Sequence, residues 1–352
     1  MARLTFAVPG GLDVRTGGTI YDSRVVDALR ADGWRVDVLE WPASFPFPDE
    51  DERRAVAASL ASLPDGTLVM IDGLALGTLP ALARQHAARL RLVAMVHHPL
   101  AMEAGLPLPT AERLAAEERE ALQHVRAIIV TSATTAATLT TEFAVPPERI
   151  TIAVPGIDRR TTQSVHRRSG PIRVLSVGHV APRKAHHVLV EALSIVADLD
   201  FSCVIAGSLD RHPETAAALA HQIVHLGLSD RVRLAGEVGE EGAARLYADA
   251  DLFALASVYE GYGMVFTEAM AWGLPIVATT GGAIPEAVPP EAGLLVPPGD
   301  AAAFADALRI MLSDARRRAS LAEGARCAAG RLDGWDATGA TIAATLNGLQ
   351  RR

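Results

Sequence analysis

The feature that most constrains this chain is an alternation of short apolar segments and amphipathic helical ones, run through twice. Residues 3–8, 34–40, 68–72, 90–96 and 127–131 read as strands. Helical patterns lie between them. Residues 22–32 place Val25, Val26 and Leu29 on one face and stop at Gly33, as a helix with a C′ glycine does. A second helix is expected over 110–124. A polar, irregular stretch from 155 to 170 reads as a linker. The alternation then restarts, with strands at 172–177, 201–206, 232–235, 252–256 and 275–278 and a helix at 187–197. Strand–helix alternation predicts parallel sheets covered on both faces. Two such series predict an α/β protein of two doubly wound Rossmann-like domains facing an interdomain cleft. Ligands of such sheets bind beyond the carboxyl ends of the strands. The expected domains span 1–165 and 170–330.

Composition supports a folded enzyme-sized chain. With 352 residues, 49% hydrophobic and 21% charged, it is long enough for two cores and too apolar for a disordered segment. Its net charge of −8 argues against nucleic acid as a partner. Two cysteines, Cys203 and Cys327, can build neither a disulfide framework nor a zinc site alone, and they fit a reducing cytosol. The N-terminus enters a strand pattern without a signal-like segment, and no apolar run reaches about 18 residues. The expected location is cytoplasmic, at most peripheral on the inner membrane face.

Three stretches carry chemistry. Thr16-Gly17-Gly18-Thr19 follows the first strand, where paired glycines let backbone N–H groups approach an anion. A plain turn explains such a pair as well. Gly178-His179-Val180-Ala181-Pro182-Arg183-Lys184 precedes a helix and suits a diphosphate. Lys184 is the single lysine among the 33 basic residues, which sets it apart from a general surface cation. Glu260-Gly261-Tyr262-Gly263-Met264-Val265 opens a third anion-binding turn. Glu260 stands at its loop and Glu268 one to two turns into the helix that follows. Two carboxylates so placed can grip hydroxyls at opposite ends of an extended ligand, unless both simply face solvent.

These residues resemble the retaining glycosyltransferases of family 4, which have the GT-B fold. Glu260 and Glu268 match the family's E-x7-E motif. Glu268-Ala-Met-Ala-x-Gly-x-Pro and Val154-Pro155-Gly156-Ile157-Asp158 match further family segments. The segment 231–238 resembles the strand and turn, ending at Val238, against which the family's nucleotide base lies. The likeness is strong over 154–298 and looser over the N-terminal domain. It implies a catalytic set of His97, Arg183, Lys184 and Glu260. Arg183 and Lys184 would neutralise the donor diphosphate, with Gly17, Gly18 and Gly178 lining it. Glu260, Gly261 and the N–H groups of Gly263, Met264 and Val265 would hold the donor sugar, and Glu268 the ribose. It also implies that a C-terminal helix, within 331–352, crosses back to the first domain. The chain departs from the family at His179, where an arginine is usual, and at Ala185, where a glycine follows the lysine.

The resemblance implies transfer of a hexose from a nucleotide sugar, a UDP-sugar ahead of GDP- and ADP-sugars, with no cofactor and no metal. His97 and His98 show no metal-ligand spacing and no acidic partner nearby in the sequence, and the other histidines read as surface or packing residues. A lipid or membrane-borne acceptor ranks ahead of a soluble sugar or small metabolite. The aromatic loop 41–48, the apolar loop 100–108 and a basic stretch at Arg84, His86, Arg89 and Arg91 motivate that ranking, and the loops also suit peripheral membrane contact. The other readings are a GT-B epimerase or phosphorylase and an inert donor-binding partner subunit. Oligomeric state stays open.

Overall fold

The structure, a computed structural model, describes residues 2–13, 16–158 and 170–350. Most of the expected linker, including the boundary placed at 165, lies outside the described residues. The chain forms two compact units. One comprises Met1–Gly156 with Asp333–Arg352, and the other Ile157–Leu332.

The first unit is built on a six-stranded parallel sheet. Its strands are β1 (Arg3–Pro9), β2 (Arg35–Trp41), β3 (Leu68–Asp72), β4 (Arg91–Val96), β5 (Ala127–Val130) and β6 (Ile150–Ile152), in the order β2-β1-β3-β4-β5-β6. The second sheet holds β7 (Ile172–Val177), β8 (Phe201–Ala206), β9 (Val232–Gly236), β10 (Leu252–Leu255), β11 (Ile276–Thr279) and β12 (Gly293–Val296). Its order is β12-β11-β10-β7-β8-β9. Each sheet reverses its strand order once, between β1 and β3 in the first and between β7 and β10 in the second. The crevice at such a reversal opens at the carboxyl ends of the flanking strands, because their helices leave on opposite faces.

β3, β5, β10 and β11 are buried along their whole length, as strands covered on both faces must be. The helix Trp335–Gln350 belongs to the first unit and packs on the helix Gly17–Ala31. Thr338 Oγ1 donates to the Val154 carbonyl at 2.7 Å. Tyr21 Oη donates to the Ala153 carbonyl at 2.7 Å, and its ring meets Trp335 edge-on at 5.6 Å.

The first helix starts at Gly17, not at residue 22. Thr16 and Thr19 explain the difference. Thr16 Oγ1 accepts from the Thr19 amide at 3.1 Å, and Thr19 Oγ1 accepts from the Thr16 amide at 2.9 Å, a capping box. Gly17 and Gly18 therefore form the first helical turn, not a loop.

Candidate active site

In the second unit, chemistry gathers at the β7/β10 reversal. After β7 the chain turns at Gly178, whose φ of 156° suits a residue without a Cβ. A Cβ there would also stand 3.3 Å from Lys184 Cε. The short turn Pro182–Lys184 then delivers Arg183 and Lys184. After β10, Ser257 and Glu260 approach from the other side. Lys184 Nζ donates to Glu260 Oε1 at 2.7 Å, and Arg183 Nη1 donates to Glu260 Oε2 at 2.9 Å. Ser257 Oγ adds a bond to Oε1 at 2.6 Å. Arg183 is anchored further, through Nη1 to the Tyr259 carbonyl at 2.8 Å. The Glu260 backbone is tied to Gly282 by a parallel bridge, and its carbonyl accepts from the Ala283 amide at 2.9 Å.

Lys184 and Glu260 are both buried. Burial alone would raise the Glu260 pKa, but the charges of Lys184 and Arg183 outweigh it and hold the carboxyl far below its usual range. The trio stays ionised and carries one surplus positive charge. Beside it, burial and the Lys184 charge push His186 down to about 3, so that ring is neutral. His186 is a packing residue, as expected from its sequence context.

Ala185, the departure from the family pattern, has φ 46° and ψ 41°. The turn into the helix His186–Ile195 needs a left-handed residue, and here a buried alanine supplies it.

Gly263, at φ 93°, begins the helix Met264–Ala271, and no side chain caps that helix start. Met264 and Val265 form its first turn. Glu268 lies exposed on the same helix and accepts from Tyr247 Oη at 3.0 Å. Tyr247 is stacked on Trp272, with ring centroids 6.3 Å apart. Glu260 and Glu268 therefore occupy different environments, one buried among cations and one at the surface. Val238 is half-buried in the loop between β9 and the helix Glu240–Asp249.

In the first unit His97 follows β4, Asp72 ends β3, and Asp22 lies on the helix after β1. His97 Nε2 stands 3.2 Å from both Asp22 Oδ1 and Asp72 Oδ2. The sequence placed no acidic partner beside His97, and the fold supplies two. Gly18 lies against the same ring, where a Cβ would be 3.2 Å from His97 Cδ2.

Two family models match this chain. "Glycosyltransferase Family 4" matches residues 67–161 and "Glycosyl transferases group 1" matches residues 171–314. The chain belongs to glycosyltransferase family 4. Among curated relatives it is 27% identical to an MMP alpha-(1->4)-mannosyltransferase of Mycolicibacterium hassiacum, over 86% of this chain and 76% of the relative. It is 34% identical to a D-inositol 3-phosphate glycosyltransferase of Salinispora tropica, over 66% of this chain and 52% of the relative. The match thus spans about half the length of that second relative. The fold is GT-B. It superposes on sucrose-phosphate synthase of Thermosynechococcus elongatus with a TM-score of 0.83 at 21% identity, over 99% of both chains. It superposes on Anabaena HepE in complex with UDP and glucose with a TM-score of 0.79 at 21% identity, over 99% of this chain and 100% of the other.

Of the features of this glycosyltransferase that suggested a lipid, the fold buries some and exposes others. Trp41 and Phe45 of the aromatic loop are core residues, and Phe47 alone of the three is exposed. In the apolar loop Leu100 is buried and Leu108 is exposed. In the basic stretch Arg84 pairs with Glu120 at the surface, at 3.2 Å, and Arg89 donates to the carbonyls of Leu60 and Leu63. Among the described residues no helix is long and apolar enough to cross a membrane. Ser257, Asp22 and Asp72 are the site residues that sequence reasoning missed. Ser257 directly follows the expected 252–256 strand, which was its one available signal.

Proposed function

We propose that this glycosyltransferase moves a hexose from a UDP-sugar to an acceptor hydroxyl with retention of anomeric configuration. The observation that carries the reading is the buried trio of Lys184, Arg183 and Glu260, with its surplus positive charge at the strand reversal. Departure of a nucleoside diphosphate develops negative charge on a phosphate oxygen. A preorganised cation pair stabilises that charge without reorganising at the moment of reaction. Glu260 sets the positions of both cations and, as they turn to phosphate, its oxygens become available to sugar hydroxyls. Gly263 and the uncapped helix start at Met264 and Val265 add backbone N–H groups, whereas the Gly178 amide is engaged with the Ala206 carbonyl at 2.9 Å and leaves Gly178 to provide close approach only. Glu268, exposed and oriented by Tyr247, is assigned to the ribose, and the base to the Val238 turn. UDP and glucose bound to HepE support this donor. The two cations replace a divalent ion, so the transfer is metal-independent.

A polyhydroxylated acceptor in solution is the better reading, since Trp41 and Phe45 are core residues and the Salinispora tropica relative is named a D-inositol 3-phosphate glycosyltransferase. A lipid acceptor keeps the exposed Phe47 and Leu108 in its favour. The test incubates the protein with radiolabelled UDP-, GDP- and ADP-hexoses and with soluble and lipid acceptor pools, with and without EDTA. Transfer from UDP-hexose to a soluble acceptor, EDTA-resistant and of retained configuration by NMR, is expected. Strict magnesium or manganese dependence, or an inverted product, would overturn the mechanism. Binding of UDP with no transfer to any pool would point to the inert partner subunit instead.

A further inference from the structure

The Asp22–Asp72–His97 cluster is not explained by donor binding. His97 is anchored through its backbone, whose carbonyl accepts from Thr131 Oγ1 at 3.2 Å. Its ring is wedged between Gly18 and the edge of Tyr21, 5.4 Å away. Asp22 is fully buried and Asp72 is buried. Asp72 Oδ1 also accepts from the Leu74 amide at 2.6 Å, which fixes its plane. Both carboxylates converge on one atom, Nε2, at 3.2 Å each. These are ion-pair contacts and not aligned hydrogen bonds, since Nε2 and both Asp22 oxygens lack a hydrogen-bond partner, so what the pair of carboxylates favours is positive charge on the ring. A neutral ring bearing its proton on Nδ1 would aim a lone pair at two buried acceptors.

We propose that Asp22 and Asp72 are a carboxylate clamp that keeps the His97 imidazole protonated, with Nε2–H turned inward. The ring then presents its other edge to the reaction partner as a fixed cationic donor, not as a general base. Asp22 and Asp72 are positioning residues acting through His97. The part about the reaction partner rests on the proposed transferase activity; the protonation state does not.

The surrounding charges agree. Burial opposes charge on His97, but Asp22 and Asp72 overcome it and raise the ring to about 10. Burial raises Asp22 to about 7, against the pull of His97. Burial would raise Asp72 too, but pairing with His97 keeps it below its usual value. Tyr21, the remaining titratable neighbour on the Gly17–Ala31 helix, is pushed well above the usual phenol range by burial and Asp22, and it stays neutral.

The three side chains also lie within 4.8 Å of one another, a spacing that a divalent cation would accept. The experiment separates the two. Protein labelled with 15N-histidine is titrated by NMR, with His97 assigned by its loss in His97→Gln. Both His97 ring nitrogens should remain protonated through pH 8, above the ordinary histidine value of about 6.5. In Asp72→Asn and Asp22→Asn the titration should fall by about one unit or more, and the alkaline limb of kcat should move down with it. A neutral His97 at pH 7.5 in the unaltered protein, or a titration unmoved in both variants, overturns the clamp. So does stoichiometric zinc binding by calorimetry that Asp22→Asn abolishes. If neither variant folds, the titration of the unaltered protein decides alone. Absence of any sugar transfer would sink the proposed function while leaving the NMR result to stand or fall by itself.

Discussion

At the scale of single residues, Lys184 is where sequence and structure converge. A unique lysine stood out in a chain that otherwise uses arginine, and the fold buries its ammonium 2.7 Å from Glu260. Lys184→Ala should lower turnover by roughly two orders of magnitude, the scale of losing one preorganised electrostatic group. Lys184→Arg should recover only part of it, since a planar fork cannot fill a point-charge site. Steady-state kinetics with the donor varied would show both, and full turnover in Lys184→Ala would remove this residue from the phosphate site. Ala185 allows a different measurement. Its left-handed backbone costs about 1–2 kcal/mol relative to glycine. Ala185→Gly relieves that strain but gives up one buried methyl, about 0.8 kcal/mol, and about 0.4–1 kcal/mol through a more flexible unfolded chain. The effects nearly cancel, so urea unfolding should change by less than about 1 kcal/mol. Asp22 and Asp72 were illegible beforehand for a physical reason: no local pattern marks a carboxylate that meets its partner only when β1, β3 and β4 line up.

At the scale of elements, the apolar runs were legible because strands buried on both faces are apolar over most of their length, with polar residues such as Asp72 and Thr279 only at their carboxyl ends. β6 and β12 escaped notice because they are short, Ile150–Ile152 and Gly293–Val296, and one is centred on a threonine while the other opens on a glycine. The helix start at Gly17 was hidden because a glycine pair reads as a loop until Thr16 and Thr19 are seen to cap each other. The Met264–Ala271 helix presents Glu268 to solvent beside Tyr247. If Glu268 binds ribose, Glu268→Ala removes hydrogen bonds to a charged group worth about 1.5–3 kcal/mol each, at least a tenfold loss of UDP affinity. Calorimetry with UDP alone tests this, and an unchanged Kd would take Glu268 out of the site. The helix Leu108–Gln123 carries another testable carboxyl. Glu118 Oε2 accepts from the Leu100 amide at 2.9 Å, Oε1 has no hydrogen-bond partner, and burial pushes the group up to about 8. The folded state therefore holds a proton that the unfolded chain releases near 4.5. Stability from this group is full below that value and declines as pH rises toward 8. Glu118→Gln should raise Tm at pH 8 and change it little, or lower it, at pH 4. Equal shifts at both values would mean the carboxyl is not held neutral.

At the scale of the molecule, chain order and structural order part company at the C-terminus. The last helix joins the unit formed by the first 156 residues, after the second unit has been completed. Its buried positions, Thr338, Gly339, Ile342, Ala343 and Leu346, recur every three to four residues and make one face. Gly339 lets that face approach closely, for a Cβ there would meet Ala28 Cβ at 2.6 Å. Trp335 covers the Tyr21 ring, and Thr345 Oγ1 lies 2.9 Å from Thr151 Oγ1 on β6. Ile342 and Leu346 are fully buried, and each contributes about 1.5–3 kcal/mol relative to exposure. Against a typical stability of about 5–15 kcal/mol, their loss is large. Deleting residues 333–352 should therefore destabilise the first unit selectively. Hydrogen exchange should accelerate in the Gly17–Ala31 helix and in β6, while amides of β7, β10 and β11 keep their protection. Gly339→Leu offers the same test with the chain intact, because its side chain would collide with Ala28 and prise the two helices apart. Its exchange pattern should match that of the truncated protein. If both variants leave the Gly17–Ala31 helix protected at the original level, the terminal helix is an appendage and not a structural part of the unit it packs against.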